Sequence, residues 1–267
     1  MSLSLKTAAP AQGALWVRDG FRLFARHPLA FSSLFAAFMI TLLVASLVPL
    51  AGGLLSVAAV PLLPLGYMVA AEAALAGGAV HPGHLIAPLR GPRERRAALL
   101  RLCMLFMALM IPAMLLCNYL DSGQFERLQQ LMADRGRQKE VDAIMADSAF
   151  QGVLLLRCAL IVLISIPFWH APALVHWSGQ GIGQALFSST LAIWRCKAAF
   201  VVYVLTWIAI VVLFGLVAAV LLRLVGQPGL VGLVSFPAGL ILTTVFYVSL
   251  IFTFRGSFGG IQEPPAA

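Results

Sequence analysis

The stretch HPLAFSSLFAAFMITLLVASLVPLAGGLLSVAAVPLLPLGYMVAA, residues 27–71, decides the fold. It lies between Arg26 and Glu72 and runs for 45 residues without an Asp, Glu, Lys or Arg. One helical crossing of a bilayer takes ~20 residues, so the stretch holds two crossings if it turns in the middle. Pro49-Leu50-Ala51-Gly52-Gly53 supplies the turn, because Pro and Gly paired in this way interrupt a helix. This gives one span over 29–50 and a second over 54–76. A cleaved leader does not account for the first span, since a leader's apolar core is only ~7–15 residues long. This span is longer and has 28 residues ahead of it.

Outward from there, four more apolar runs read as spans over 98–120, 152–175, 198–222 and 230–254. The turn Gly226-Gln227-Pro228-Gly229 precedes the last of them. Composition agrees with this count. Of the 267 residues, 61% are hydrophobic and 10% charged, where soluble domains run near ~45–50% and ~25%. So few charges do not cover so apolar a chain in water. Soluble enzymes, disordered chains, collagen-like chains and disulfide scaffolds are excluded. The expected fold is an all-α polytopic membrane protein with six transmembrane helices in three hairpins. Residues 1–28 form a cytoplasmic N-terminus with an amphipathic interfacial helix, 121–151 a periplasmic helical loop, and 255–267 a cytoplasmic tail.

The net charge is +8, from 18 Lys and Arg against 10 Asp and Glu. These cations sit in short flanks of the apolar runs, which points to anionic phospholipid head groups of a bilayer and not to nucleic acid. Twelve of the 18 fall on the side of the N-terminus: Lys6, Arg18, Arg22 and Arg26, the loop from Arg90 to Arg101, then Arg195, Lys197 and Arg255. The other six share their side with six acids between Asp121 and Asp147. The positive-inside rule puts both termini in the cytoplasm.

Each hairpin has a basic or amphipathic foot on that side. At 100° per residue, Trp16, Val17, Gly20, Phe21, Leu23 and Phe24 share one half of a helix, and Arg18, Arg22 and Arg26 the other. Such a helix is expected in the membrane interface, its arginines toward anionic lipid. A helix docked on protein is the other reading. Ile182, Leu186, Phe187, Ile193 and Trp194 repeat the device before span 5, with Arg195 on the opposite arc. Residues 24–31 also align with 193–200, placing Arg26 on Arg195 and Phe31 on Phe200, which hints at a duplicated hairpin. Between 121 and 150, Ser122 is a candidate N-cap, and Phe125, Leu128 and Met132, then Val141, Ile144 and Met145, recur at helical spacing. Two short helices outside the membrane are expected there, with Gly136 between them.

Three motifs resemble an uncharacterised multipass inner-membrane family of betaproteobacteria. They are Trp16-Val-Arg-Asp-Gly-Phe-Arg-Leu-Phe, Leu65-Gly-Tyr-Met, and Pro167-Phe-Trp-His-Ala-Pro-Ala-Leu-Val. The resemblance covers most of the chain outside the 121–150 loop. It implies a bacterial inner-membrane location and no particular activity.

The chemistry the residues offer is sparse. No phosphate-binding glycine loop, dinucleotide fingerprint, HExxH or G-x-S-x-G motif occurs. His81 and His84 lack acidic or Cys company, so a plain loop is expected there and no metal or cofactor. Cys103, Cys117, Cys158 and Cys196 show no CxxC pair and no disulfide is expected. Ionisable groups at depth are more telling, because a charge in the hydrocarbon costs at least ~2.5–3.5 kcal/mol. Arg157 near the outer end of span 4 is expected to snorkel outward. Glu72 is 18 residues beyond Leu54, and His170 is 18 beyond Gly152, so helical rise brings both to one depth. They form a candidate intramembrane polar site, either paired or each satisfied alone. Pro61 and Pro64 in span 2, and Pro167 and Pro172 in span 4, mark kinks. The expected function is a non-enzymatic accessory or envelope-organising component without a defined protein partner. The alternative is a small-solute or lipid translocator built on the kinked helices.

Overall fold

The computed structural model describes residues 4–48, 51–133, 137–224, 226 and 231–259. The expected turn residues at 49–50 and 227–229, the break at Gly136 and the tail from 260 lie outside the described residues. Twelve helices and two 3-10 turns make up the described fold, with no strand among the described residues.

Helix α1 (Gln12–Arg26) ends at the one-residue break His27, and α2 (Pro28–Ser46) follows as the first apolar span. The second span is a bent pair, α3 (Ala51–Ala59) and α4 (Leu62–Leu75), with the two axes 45° apart. Pro61 stands between them and Pro64 in the first turn of α4, where a proline's missing N–H costs no helical bond. Beyond α4 the chain folds back through 3-10 turns at Pro82–Leu85 and Ala87–Arg90. Leu85 comes so close to Gly66 that a Cβ there would stand 2.9 Å from the Leu85 Cα.

Helix α5 (Arg93–Leu120) is the third span, followed outside the apolar zone by α6 (Gln124–Ala133) and α7 (Gln138–Ala146). These are the two short helices the spacing predicts. Ser122 is not their cap; it holds φ 52° in the turn, and the Asp121 carboxylate accepts the Gly123 N–H at 2.9 Å instead. Helices α8 (Ser148–Phe168) and α9 (Ala171–Ser178) form one long apolar element that breaks at Trp169-His170, with Pro167 just before the break and Pro172 in the first turn after it. Helix α10 (Ile182–Arg195) leads through the break at Cys196 to α11 (Lys197–Leu224), and α12 (Val231–Phe258) completes the bundle. Five helical segments are long and apolar enough to cross a bilayer, and the bent α3–α4 pair makes a sixth.

Burial divides the molecule lengthwise. The C-terminal half of α11 and the N-terminal half of α12, together with the C-terminal half of α2 and much of α5 and α8, present bare Leu, Val, Ile and Met, as surfaces facing lipid do. The other end is packed like a soluble core, with Phe31, Leu65, Tyr67, Leu99, Leu102, Leu174, Ile251 and Phe254 shut off from solvent. Helix α12 is the axis of that end, because α1, α2, α4 and α10 all pack on it.

Candidate functional site

The arginine row of α1 is where sequence and structure meet first. Trp16, Val17, Gly20 and Leu23 are buried, and the surface that buries them is protein. Helix α1 wedges between α11 and α12 and packs on each more extensively than they pack on each other. Glycines make the fit: a Cβ on Gly13 would collide with the Ala199 carbonyl oxygen, and one on Gly20 would stand 2.6 Å from the Ser249 Cβ. Trp16 fills the space over Gly256, its ring centroid 5.4 Å from that of Phe200. The expected lipid-facing apolar half is therefore largely a docking face, with Trp16 inside it. Phe21 sits at its edge, stacked on Trp207 at 5.7 Å. Arg18, Arg22 and Arg26 remain exposed, the first two flanking Asp19 at 3.3 and 3.6 Å.

Helix α10 divides its residues differently from the arc read in the sequence. The buried side is the small-residue line Ala185, Ser189 and Ala192, continued by Cys196. Phe187 and Trp194 point outward, each 69% exposed, and Lys197 lies over the Trp194 ring at 5.0 Å beside Arg195. The two aligned stretches, 24–31 and 193–200, fall at matching points of two elements. Arg26 and Arg195 each end a helix, His27 and Cys196 are the one-residue breaks, and Phe31 and Phe200 are buried in the helix that follows.

The segments that carry the cations are tied together at this end. The Lys6 N–H donates to the Ser257 carbonyl at 2.8 Å, and the Cys196 thiol to the Lys6 carbonyl at 3.3 Å. Arg95, at the start of α5, donates to the His176 carbonyl at 3.3 Å. Arg93, Arg95 and Arg96 thus stand exposed on the same end as Arg195 and Lys197. Cations in the first turn oppose a helix dipole, so the run is not there for the stability of α5.

Glu72 and His170 do not pair. Glu72 accepts from the Arg255 guanidinium at 2.6 Å, both side chains about a third exposed or less. His170 is fully buried; its backbone N–H donates to Ser189 Oγ at 3.0 Å and its Nε2 lies 3.1 Å from Thr253 Oγ1. Thr253 spends its one hydrogen on the Leu250 carbonyl at 2.8 Å, so Nε2 is the donor to Thr253. Phe200, Phe254 and Phe258 close around the ring with centroids 5.5–5.9 Å away. The reason for the miss is angular. Thr253 and Arg255 are two residues apart, hence on nearly opposite faces of α12, and α12 stands between the two candidates. Arg255 belongs to α12 and not to a tail.

Arg157 does not snorkel. It is 5% exposed, donates to Asp121 Oδ2 at 2.7 Å and to Asn118 Oδ1 at 2.8 Å, and covers the Phe125 ring at 3.9 Å. Asn118 in turn donates to Glu126 at 3.1 Å. This network ties the end of α5 to α8 and α6. The hairpin register of spans 3 and 4 was the signal for it, since Asp121 and Arg157 both lie toward the end of the hairpin where α6 and α7 join the two spans. The four cysteines are free, and no group of three metal-ligating side chains occurs among the described residues.

Comparison with known proteins agrees with this architecture. A probable inner membrane protein of Burkholderia thailandensis is 35% identical over 260 residues, covering 95% of this chain and 93% of the relative. No described family profile and no solved structure matches the chain. With that identity along nearly the full length of both chains, the protein belongs to the same family of bacterial inner-membrane proteins.

Proposed function

We propose that the protein is a non-enzymatic accessory component of the inner membrane, with both termini in the cytoplasm and its basic end held against anionic phospholipid. The observation that carries the reading is the exposed Arg18–Arg22–Arg26 row on a helix whose apolar side is already spent on protein. With that side docked, the row serves neither core nor hairpin. Together with Arg93, Arg95, Arg96, Arg195 and Lys197 it makes one end of the molecule a cationic surface suited to the negative potential of a cytoplasmic leaflet. Phosphatidylglycerol should raise the Tm of the detergent-solubilised protein more than phosphatidylcholine, and salt should erase the difference, since screening weakens exposed pairs. Equal shifts for the two lipids contradict the lipid-binding part of the reading.

The alternative, a small-solute or lipid translocator, draws on the 45° bend between α3 and α4. The two readings separate in cells. An accessory role predicts that a deletion strain becomes sensitive to membrane-perturbing detergents without losing growth on any single nutrient. Loss of growth on one solute, with flux of that solute into proteoliposomes, supports the translocator and overturns the accessory reading.

A further inference from the structure

Helices α11 and α12 are splayed, and α1 fills the gap between them only at the basic end. Beyond α1 the gap continues as a groove of about 480 Å³. Trp207, Val211, Phe214 and Gly215 line one side, and Ser235, Gly239, Leu242, Thr243 and Phe246 the other. Trp207 to Gly215 is 8 residues, about 12 Å of helical rise along the α11 wall. The walls are apolar, and the few hydroxyls do not offer a water its usual two to four partners. Small residues shape the groove: a Cβ on Gly215 or Gly239 would meet no atom within 4 Å. In a bilayer a small-residue stripe of this kind is ordinarily covered by a neighbouring helix; among the described residues no other helix lines the groove.

The mouth of the groove is charged. Phe21 stacks on Trp207 and thereby brings its helix neighbours Arg18 and Arg22 to the upper end, with Arg26 one turn further on. Asp19 offsets one of the three charges, so the row keeps a net charge of about two. Helix α1 runs in the same direction as α11, since Gly13 lies against Ala199 and Phe21 against Trp207. Arg18 therefore stands about 4.5 Å above the level of Trp207, Arg22 about level with it and Arg26 about 7.5 Å below, beside the upper part of the apolar groove.

We propose that this groove holds an acyl chain of an anionic phospholipid of the cytoplasmic leaflet, its phosphate paired with Arg18 and Arg22. The proposal rests on the lipid-anchored reading above and adds one defined site to it. Charge above and an apolar slot below match the two parts of one phospholipid, and a charged guanidinium pair binds a phosphate more strongly than a neutral donor does. A second copy of the chain would bury the slot but leave the net charge of about two on the arginine row uncompensated.

The test uses the full-length protein in bilayers with phosphatidylglycerol and phosphatidylcholine, each spin-labelled on the acyl chain. The motionally restricted component is expected to be several-fold larger for phosphatidylglycerol. Gly215→Leu with Gly239→Leu, whose side chains enter open space, should remove that excess and leave Tm in phosphatidylcholine no lower. Arg18→Gln with Arg22→Gln should bring phosphatidylglycerol down to the phosphatidylcholine level. Arg93→Gln, Arg95→Gln and Arg96→Gln together should reduce salt-sensitive stabilisation by anionic lipid while sparing the restricted component, so failure of the groove and failure of the general lipid reading are seen separately. A phosphatidylglycerol excess that survives the two leucines, or no excess in the native protein, overturns the proposal. So does disulfide cross-linking into dimers that occurs in Gly215→Cys protein and not in the native protein, whose four cysteines are free, which gives the groove to a second copy. Should the leucine pair fail to fold, chain-brominated phosphatidylglycerol supplies the second measurement. Its excess quenching of tryptophan fluorescence should fall in Trp207→Phe by the share that Trp207 contributes, and full retention of that excess overturns the site.

Discussion

At Arg157 and Asp121 two opposite charges are closed off from solvent, their side chains 7% and 1% exposed. Removing one partner leaves the other buried and uncompensated, which costs about 3–5 kcal/mol. Asp121→Asn or Arg157→Gln should each destabilise the solubilised protein by that order in chemical unfolding, and Asp121→Leu with Arg157→Leu should lose less than either single change. A second residue-scale prediction concerns α12. Glu72→Gln and His170→Ala should be additive within about 0.3–0.5 kcal/mol, because the two groups share no partner. Glu72→Gln and Arg255→Gln should couple beyond that margin; strict additivity there means that the 2.6 Å contact contributes nothing. These cases show what residue spacing conveys. Helical rise gives depth along an axis, so Glu72 and His170 could be placed at one level from sequence. It gives no azimuth relative to other helices, and azimuth handed their partners to Arg255 and Thr253.

Among the elements, α1 shows a related limit. Its 100° periodicity separates an arginine face from an apolar face, yet periodicity carries no information on whether that apolar face meets lipid or protein. The glycines were the signal that it meets protein, since Gly13 and Gly20 fall on the apolar face at a spacing that allows a backbone to approach. Gly20→Val should cost about 1–3 kcal/mol by overpacking against Ser249, and its thermal unfolding should show the loss. A neutral result would free α1 to lie on lipid. Helices α6 and α7 carry a pH prediction. Arg137 donates to Glu140 at 2.7 and 2.9 Å and Arg127 does so at 3.3 Å, and together they hold the Glu140 carboxyl below its ordinary range. A depressed acid contributes stability above its unfolded value of about 4.3, and that contribution is lost as pH falls through the folded value. Amide exchange in α7, referred to its intrinsic rate, should therefore speed up below about pH 4 in the native protein and not in Glu140→Gln. The same pH response in both proteins would remove Glu140 from the clamp.

For the whole molecule, the charge-free run 27–71 and its four successors were sufficient to place the apolar helices, because the bilayer thickness converts composition directly into length. The fine boundaries were not legible. Helices α4, α5, α11 and α12 continue past the apolar zone into the packed basic end, where Tyr67, Leu99 and Ile251 sit in one protein cluster and Tyr203 in a second, buried by protein and not by lipid. A hydropathy window does not distinguish those two burials. Orientation is the claim on which the rest depends, since the cationic end, the lipid groove and the outer Arg157 network all take their meaning from it. Alkaline phosphatase, active only outside the cytoplasm, tests it most directly when fused after Gly91, Gly123 or Gly179. The account predicts activity at Gly123 and none at Gly91 or Gly179; an active fusion at Gly91 would invert the molecule in the membrane and contradict it.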